Sequence, residues 1–408
     1  MTTRYPGGLI RKTPPTITPP VGGEGGSAPG VWTLEQASYY TKQGTWPLPV
    51  TIKQLWASGY NAGGYIGDNT TTSRSSAIQV GSDTTWLQVN SSYTFSTGTK
   101  TNGTIYGWGS FQYGVTGTET AVDRSSPVQI GALTNWARAS SAFYGTVAVK
   151  TDGTLWTWGY NNFGQLGNNL QDSSGSGRSS PAQVGALTNW SKVAAGTSSN
   201  HAIKTDGTLW GWGYNTVGTL GDGTIIARSS PVQIGALTNW SKLDAGANFF
   251  VSVKTDGTIW ASGGNLYGQL GQNDQVNRSS PVQIGALTNW ADIACGYVHV
   301  LALKTDGTIW AWGYNAAGQL GDGTNIERSS PVQIGAGTTW LTLGSGYLNS
   351  FAIKSDKTLW AWGWNNYGQL RQNNKVNLSS PVQVNSGTNW GAVTKGSAGT
   401  VFFSVTSI

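Results

Sequence analysis

The amino-acid sequence predicts an all-β fold: a seven-bladed β-propeller of roughly fifty-residue repeats, closed by a composite N/C-terminal blade and preceded by an extended arm. Three observations predict it. A tryptophan-ended phrase recurs seven times, each copy contains four strand-like pieces, and the C-terminal strand matches a piece that the first copy lacks. The composition agrees, since 408 residues include 59 Gly and 21 Trp but only 10% charged residues. That mixture suits short strands and tight turns better than helices.

Two phrases set the repeat length. One is a hairpin phrase, clearest as KTDGTLWTWGYNNFGQLG from Lys150, and the other is RSSPVQIGALTNW. The final tryptophans of the second phrase are spaced 50, 54, 50, 50, 50 and 50 residues apart, and an inserted loop at 171–177 accounts for the 54; they are Trp86, Trp136, Trp190, Trp240, Trp290, Trp340 and Trp390. A period this regular indicates one repeat array rather than several domains.

Each repeat predicts four short antiparallel strands. Around Trp158, the second and third strands are joined by Asp152-Gly153, a dipeptide that favours a tight hairpin turn. Side chains alternate along these pieces with the period of a strand, and we find no helical periodicity in the repeat. The four pieces are Trp136–Ala139, Thr146–Lys150, Thr154–Trp158 and Ala182–Val184.

The two ends of the repeat array predict how the ring closes. The hairpin strand that includes Leu55 has no upstream partner, and the phrase that ends at Trp390 has no hairpin strand after it. The C-terminal stretch 401–405 aligns with the strand 351–354 of the preceding repeat. We therefore expect C-terminal strands to complete the blade that residues 51–80 begin, which removes free sheet edges.

The hairpin phrase, D-G-T-φ-W-x-W-G-x-N-x-x-G-Q-L-G with a proline-led V-Q-I after it, resembles the regulator of chromosome condensation repeat. The best copies start at Asp152, Asp306 and Asp356, and the resemblance covers residues 51–408. It implies a seven-bladed propeller. The sequence departs from the pattern where Ser58 and Ser262 replace a tryptophan and Arg371 replaces a glycine. The exchange-factor activity of the founding member depends on specific loop residues, so the resemblance does not imply it here.

Residues 1–48 predict an arm that is separate from the propeller at 49–408. The first thirty residues are rich in Pro, Gly and Thr and cannot bury a core. The pattern of Thr33 and Gln36 predicts a capping box and one short helix near 34–43. Residues 30–47 resemble segments of bacteriophage tail and virion proteins, especially those of cyanophages. The resemblance implies docking to a virion, and the predicted docking anchors are Trp32, Leu34, Tyr40 and Trp46.

The residues predict no enzyme and no cofactor. His201 and His299 are the only histidines and occupy nonequivalent repeat positions, and Cys295 is the only cysteine, so a zinc site is not expected. Acidic turns at Asp222 and Asp322 have an alternative reading as calcium sites, but they lack the ligand series of such a loop. The formal charge of +6 is spread along the chain, which argues against nucleic-acid binding.

Features that break the repeat are the candidates for partner binding on the propeller: Asp172, Trp364 and Arg371, with the loop 169–177 and the irregular stretch 111–123. The repeat-locked tryptophans are interpreted as core, with light sensing as the alternative. One arginine and one lysine recur in most repeats, which predicts two rings of charged side chains. These rings either solvate the strand ends or form a surface that binds an acidic partner. The arginines are Arg74, Arg124, Arg178, Arg228, Arg278 and Arg328, and the lysines are Lys100, Lys150, Lys204, Lys254, Lys304 and Lys354.

These features together predict a non-enzymatic bacteriophage structural protein, associated with the tail or the capsid. The arm would dock to other virion proteins in multiple copies, and the propeller would be displayed for protein or host-surface binding. The alternative is a free soluble protein-binding or inhibitor propeller. No signal peptide or membrane insertion is expected, so the predicted location is the virion after synthesis in the host cytoplasm.

Overall fold

The structure is a computed structural model that describes residues 53–120, 122–172, 177–396 and 399–406, and the backbone of two short strands near the N terminus. Those strands, β1 (Thr3–Tyr5) and β2 (Gly8–Ile10), form an antiparallel hairpin. The chain divides into two compact units, Met1–Thr51 and Ile52–Ile408, and the hairpin belongs to the first. The helix predicted near 34–43 and the four predicted docking anchors lie outside the described residues.

The second unit forms seven four-stranded antiparallel sheets, which confirms the predicted seven-bladed propeller. Within the described residues the only helical element is a 3₁₀ turn at Gln112–Gly114. The strands are, for blade 1, β3 (Leu55–Gly59) and β4 (Arg74–Gln79), with β29 (Trp390–Val393) and β30 (Val401–Thr406); for blade 2, β5 (Trp86–Ser91), β6 (Phe95–Lys100), β7 (Ile105–Gly109) and β8 (Arg124–Gln129); for blade 3, β9 (Trp136–Ala142), β10 (Gly145–Lys150), β11 (Leu155–Gly159) and β12 (Arg178–Gln183); for blade 4, β13 (Trp190–Ala195), β14 (Ser199–Lys204), β15 (Leu209–Gly213) and β16 (Arg228–Gln233); for blade 5, β17 (Trp240–Ala245), β18 (Phe249–Lys254), β19 (Ile259–Gly263) and β20 (Arg278–Gln283); for blade 6, β21 (Trp290–Cys295), β22 (His299–Lys304), β23 (Ile309–Gly313) and β24 (Arg328–Gln333); and for blade 7, β25 (Trp340–Ser345), β26 (Asn349–Lys354), β27 (Leu359–Gly363) and β28 (Leu378–Gln383).

The ring closes through the composite blade that the sequence predicts. Its strand order is β29-β30-β3-β4, so the C-terminal strand β30 lies between β29 and the N-terminal strand β3. Val401 pairs with Gly59 and Val405 with Leu55. The N-terminal and C-terminal strands of the propeller therefore lie in one sheet, and all seven blades have four paired strands.

The Asp-Gly turn between the second and third strands shows why the hairpin phrase folds as it does. In blade 3 the Asp152 carboxylate accepts hydrogen bonds from the Thr154 backbone N–H at 2.9 Å and from its hydroxyl at 2.6 Å. Gly153 has φ +77°, and a Cβ there would come within 2.0 Å of the Thr188 carbonyl oxygen. Glycine is favoured at this position because the turn packs directly against the connection to the next blade.

The second tryptophan of the hairpin phrase joins neighbouring blades. Trp158 is fully buried, and its indole N–H donates to the Val115 carbonyl of blade 2 at 3.1 Å. Trp108, Trp212, Trp312 and Trp362 make the same bond to the preceding blade. These tryptophans are core residues, as predicted, and their bonds fix five of the seven blades relative to the preceding blade.

Two blades lack that tryptophan, and a phenylalanine on the neighbouring strand compensates. Ser262 pairs across the strands with Phe250, and Ser58 pairs with Phe402. In the other five blades a tryptophan faces Ser, Thr, Asn or Val at the position of the phenylalanine. In these two blades the large side chain is on the second strand instead of the third, and it fills the space between the blades.

Arg371 completes the compensation in blade 1, which corrects its prediction as a surface residue. It is 4% exposed and replaces the glycine that packs against the tryptophan in other blades. The guanidinium donates to the Ser58 hydroxyl, the Ser404 hydroxyl and the carbonyls of Trp56 and Phe402, at 2.7–3.1 Å. The missing tryptophan at Ser58 leaves the space that this side chain occupies.

Candidate interaction surface

One face of the propeller gathers most of its tyrosines. Because successive strands are antiparallel, the connections after the first and third strands of every blade emerge on the same face. We call this side the aromatic face, and most of its rings are half-buried. Its members are Tyr60, Tyr65, Tyr93, Tyr113, Phe143, Tyr144, Tyr160, Phe163, Tyr214, Tyr267, Tyr297, Tyr314, Tyr347, Trp364 and Tyr367.

At the centre of this face, rings from opposite sides of the propeller meet over the channel. Phe143 of blade 3 stacks on Tyr93 of blade 2, with ring centroids 4.8 Å apart. The same Phe143 ring contacts Tyr297 of blade 6 at 5.5 Å, and Tyr297 contacts Tyr347 of blade 7 at 4.7 Å. Blades 3 and 6 are not neighbours, so these rings cross the channel axis and cover its end.

The aromatic network continues from the centre towards the rim through Trp364. This residue contacts Tyr347 at 5.9 Å and Tyr367 at 5.3 Å, and Tyr367 contacts Tyr60 of blade 1 at 4.4 Å. The structure therefore brings the predicted Trp364 into a connected aromatic surface. Asp172 is half-buried on a connection of the same face, where its backbone N–H donates to the Asn161 carbonyl at 3.0 Å.

The rim of the aromatic face combines ion pairs with exposed aliphatic side chains. Arg228 pairs with Asp222 at 2.8 Å, and three further blades carry such a pair, Arg74–Asp68, Arg278–Asp274 and Arg328–Asp322. Burial alone would raise the pKa of Asp222, but hydrogen bonds from Thr224 and Arg228 outweigh it and lower that pKa. Four arginines of the predicted ring are thus neutralised locally. Two residues before the arginine position, aliphatic side chains are 55–63% exposed: Val122, Ile226, Val276, Ile326 and Val376.

The predicted lysine ring lies on the opposite face and packs between aromatic rings. The Lys150 ammonium lies 3.5 Å from the centre of the Trp156 ring and 4.7 Å from that of Trp136. The pattern repeats at Lys100, Lys204, Lys254, Lys304 and Lys354. Burial lowers the pKa of Lys150, and the nearby Asp152 charge opposes that shift. These cation–π contacts join the first three strands within each of six blades.

The remaining reactive side chains are buried within blades. The His299 ring nitrogen Nε2 lies 3.0 Å from the Ser350 hydroxyl, and that of His201 lies 3.2 Å from the Thr219 carbonyl oxygen. Burial lowers the pKa of His201 to about 4 and that of His299 to about 3, and it raises the pKa of the Cys295 thiol. In the part of the chain that the structure describes, no three His, Cys, Asp or Glu side chains gather into a metal-binding group. No helix in that part is long and apolar enough to cross a membrane.

The aromatic face was not predicted as a unit, although part of its pattern is present in the sequence. The residue directly after the glycine that ends the third strand is aromatic in five of seven repeats: Tyr60, Tyr160, Tyr214, Tyr314 and Trp364. The central rings follow the innermost strands, and four of seven repeats carry one there: Tyr93, Phe143, Tyr297 and Tyr347. That these two sets share one face follows only from strand topology.

The fold and its loop surfaces define a closed β-propeller of the protein-binding class. The chain belongs to the RCC1-like domain family, whose profile matches residues 50–348. Regulator of chromosome condensation (RCC1) repeats match residues 342–369 and 356–403. No curated protein matches the chain.

Solved structures show the same fold at low sequence identity. Human WBSCR16 superposes with a TM-score of 0.78 at 17% identity, covering 87% of this chain and 98% of that one. Yeast RCC1 (Prp20), solved bound to Kap60, gives 0.77 at 15% identity, covering 88% and 90%. Prp20p from Saccharomyces cerevisiae, described with its binding to Gsp1p and histones, gives 0.76 at 16% identity, covering 88% and 92%.

Proposed function

We propose that the chain is a non-enzymatic protein-binding propeller whose partner docks on the aromatic face. The observation that carries the proposal is the cluster of Tyr93, Phe143, Tyr297, Tyr347 and Trp364 over the channel end. Such rings supply large contact areas at low conformational cost, and aromatic residues are enriched in the centres of protein interfaces.

The distribution of charge on this face supports the same proposal. Six of the seven connections between first and second strands contain no charged residue, and the seventh contains Lys395, which forms an ion pair with Asp292. Ion pairs such as Arg228–Asp222 and exposed aliphatic residues such as Ile226 lie on the connections after the third strands. An aromatic centre with few charges inside a polar rim is the usual anatomy of a protein interface. The yeast relative Prp20, solved with Kap60 and described with its binding to Gsp1p and histones, is an RCC1 propeller that engages other proteins.

The more specific proposal is a bacteriophage virion component, in which the arm docks to the particle through Trp32, Leu34, Tyr40 and Trp46. Its support is the resemblance of residues 30–47, which lie outside the described residues. The free binding module needs only the propeller surface, so it is the better supported of the two. Deleting residues 1–48 from a phage-encoded copy and testing for the chain in purified particles separates them.

The docking proposal is tested with point variants on the two faces. A partner is first identified by cross-linking and mass spectrometry on the full chain, then purified for affinity measurements. We expect Tyr347→Ala and Trp364→Ala each to weaken binding at least tenfold, as for interface hot spots. Leu237→Ala and Leu287→Ala alter exposed leucines on the opposite face and serve as matched controls. Loss of binding in the leucine variants, with none in the aromatic variants, would show that the wrong face is assigned.

A further inference from the structure

The central channel contains a wall of cationic side chains that the aromatic face does not use. A cavity of about 300 Å³ in the channel is lined by Arg138, Lys192 and Lys242. Each is the second residue after the tryptophan that begins an innermost strand, on β9, β13 and β17. These strands belong to consecutive blades, so the three cations lie side by side. The other four blades have Gln88, Asp292, Thr342 and Ala392 at this position.

The carboxylates in the channel are already engaged by other groups. Asp292 forms an ion pair with Lys395 at 2.8 Å. Asp244 accepts hydrogen bonds from the backbone N–H groups of Ala245 at 2.9 Å and Cys295 at 2.8 Å. Within the described ranges no ion pair includes Arg138, Lys192 or Lys242; Lys192 donates instead to the Ser241 carbonyl.

The net charge of the cavity lining is positive and unbalanced. Four cationic residues and two carboxylates line it, which leaves a net charge of +2 when all are ionised. The pKa of Lys192 is lowered, first by burial and then by the charges of Lys242 and Arg138. The three cations therefore repel one another, and a bound anion would relieve that repulsion.

The position of the wall along the channel sets its direction of access. Every innermost strand starts on the lysine-ring face and ends on the aromatic face, where Phe143, Tyr297 and Tyr347 cover the channel. The cations lie near the starts of their strands. A ligand would therefore enter from the lysine-ring face, and a partner on the aromatic face would not obstruct it.

We propose that the channel binds a small phosphorylated molecule, with its phosphate group held by Arg138, Lys192 and Lys242. A guanidinium fork beside two ammonium groups suits a phosphate, whose double charge at neutral pH balances the net charge of the lining. A volume of about 300 Å³ lies at the lower end of the range for small-molecule sites, which is more than a bare ion needs.

The test is calorimetric titration of the full chain with inorganic phosphate, inorganic sulfate and ribose 5-phosphate at low salt. We expect ribose 5-phosphate to bind at least tenfold more tightly than either inorganic ion. The triple variant Arg138→Gln/Lys192→Gln/Lys242→Gln should lose this binding at least tenfold while its melting temperature without ligand is unchanged or higher. The matched control removes three exposed cations elsewhere, with Arg178→Gln, Lys357→Gln and Lys375→Gln.

Three results would overturn the proposal. One is equal binding of ribose 5-phosphate by the triple variant and the unaltered chain. Another is an equal loss of binding in the control variant, which would indicate attraction by overall charge. The third is equal affinity for sulfate and ribose 5-phosphate, which would reduce the site to a general oxyanion site. The single variant Lys192→Gln repeats the comparison if the triple variant unfolds.

Discussion

Arg371 offers the sharpest test of how the ring closes, because one side chain connects blade 7 to both strands that join the chain ends. Its guanidinium donates to Ser58 on β3 and to Ser404 on β30. It also lies 4.2 Å from the centre of the Phe402 ring. We expect Arg371→Ala to destabilise the propeller without changing the other blades, since these contacts are confined to the composite blade and its neighbour.

The size of the effect follows from opposing contributions. The four hydrogen bonds to the charged guanidinium contribute about 1.5–3 kcal/mol each. Burying a cation without a carboxylate costs several kcal/mol, and burial lowers the pKa of Arg371 to about 9, so the group stays protonated at neutral pH. The net loss in Arg371→Ala is therefore on the order of 3 kcal/mol. Arg371 has φ +60°, so Arg371→Gly relieves about 1 kcal/mol of backbone strain and should lose less.

The remaining blades supply a rescue design. Blade 7 places Trp362 opposite Ser350, with Gly321 against the indole. The triple variant Arg371→Gly/Ser58→Trp/Phe402→Ser installs the same three residues at the contact between blade 7 and the composite blade. Urea unfolding, followed by tryptophan fluorescence, gives the midpoint and slope for each variant. We expect the triple variant to recover at least half of the stability that Arg371→Gly loses.

Two outcomes would refute this account of closure. If Arg371→Ala unfolds at the same urea concentration as the unaltered chain, the buried hydrogen bonds contribute nothing net. If the triple variant is no more stable than Arg371→Gly/Phe402→Ser, then the tryptophan at position 58 does not fill the space. The second comparison isolates the Ser58→Trp step, because the two variants differ only there.

Three further predictions test the ring, the arm and the acid response. Deleting 399–408 removes β30 and should abolish cooperative unfolding, and an unchanged calorimetric transition would contradict the composite blade. Deleting 1–48 should leave the far-ultraviolet circular dichroism of the propeller intact, because 52–408 is a compact unit of its own; failure to fold would move the boundary. In the folded chain the pKa of His201 is about 4 and that of His299 about 3. Below pH 6.5 the unfolded chain therefore binds more protons than the folded chain, and the stability of the fold decreases as the pH falls. The loss at pH 4 is on the order of 3 kcal/mol per histidine. His201→Val with His299→Asn, residues found at the equivalent positions 251 and 349, should make the melting temperature less sensitive between pH 6.5 and 4, and an unaltered sensitivity would contradict the assignment.

The carboxyl group of Asp244 has the opposite effect on stability at low pH. Burial raises the pKa of Asp244 to about 6, although Lys395 opposes this shift. The folded chain therefore binds this proton more readily than the unfolded chain, and Asp244 adds stability as pH falls from about 6 to 4. The histidine variants should expose this contribution as a small rise in melting temperature over that range.

Sequence periodicity predicts the fold well because each blade repeats the same local chemistry. The Asp152-Gly153 turn and the tryptophan that packs against the preceding blade are both encoded within one repeat, so seven copies give seven blades. Closure was predictable because 401–405 supplies the strand that Leu55–Gly59 lacks. The hairpin of Thr3–Tyr5 and Gly8–Ile10 was not predicted, since the composition of the first thirty residues gives no alternation to read.

The candidate sites were harder to predict because they depend on which repeat positions share a face. Phe143 and Tyr297 are 154 residues apart in sequence, yet their rings are in contact across the channel. The sequence around Lys192 does not distinguish it from other strand residues. Only the strand topology shows that it lies beside Arg138 and Lys242. Neither cluster has a local motif, and only the order of the strands around the channel brings its members together.

Deviations from the repeat therefore fall into two kinds, and the structure gives a criterion that separates them. Arg371 and Phe402 deviate together with Ser58, and the three side chains fill one another's space, so their joint change conserves the packing between blades. Trp364 and Lys192 occupy positions that vary between repeats, and each lies at an accessible place: Trp364 on the aromatic face, and Lys192 on the wall of the channel cavity. A deviation that a neighbour compensates maintains the fold, whereas an uncompensated one on an accessible surface is free to serve binding. By this criterion Arg371 leaves the list of binding candidates, Trp364 stays on it, and Arg138, Lys192 and Lys242 join it.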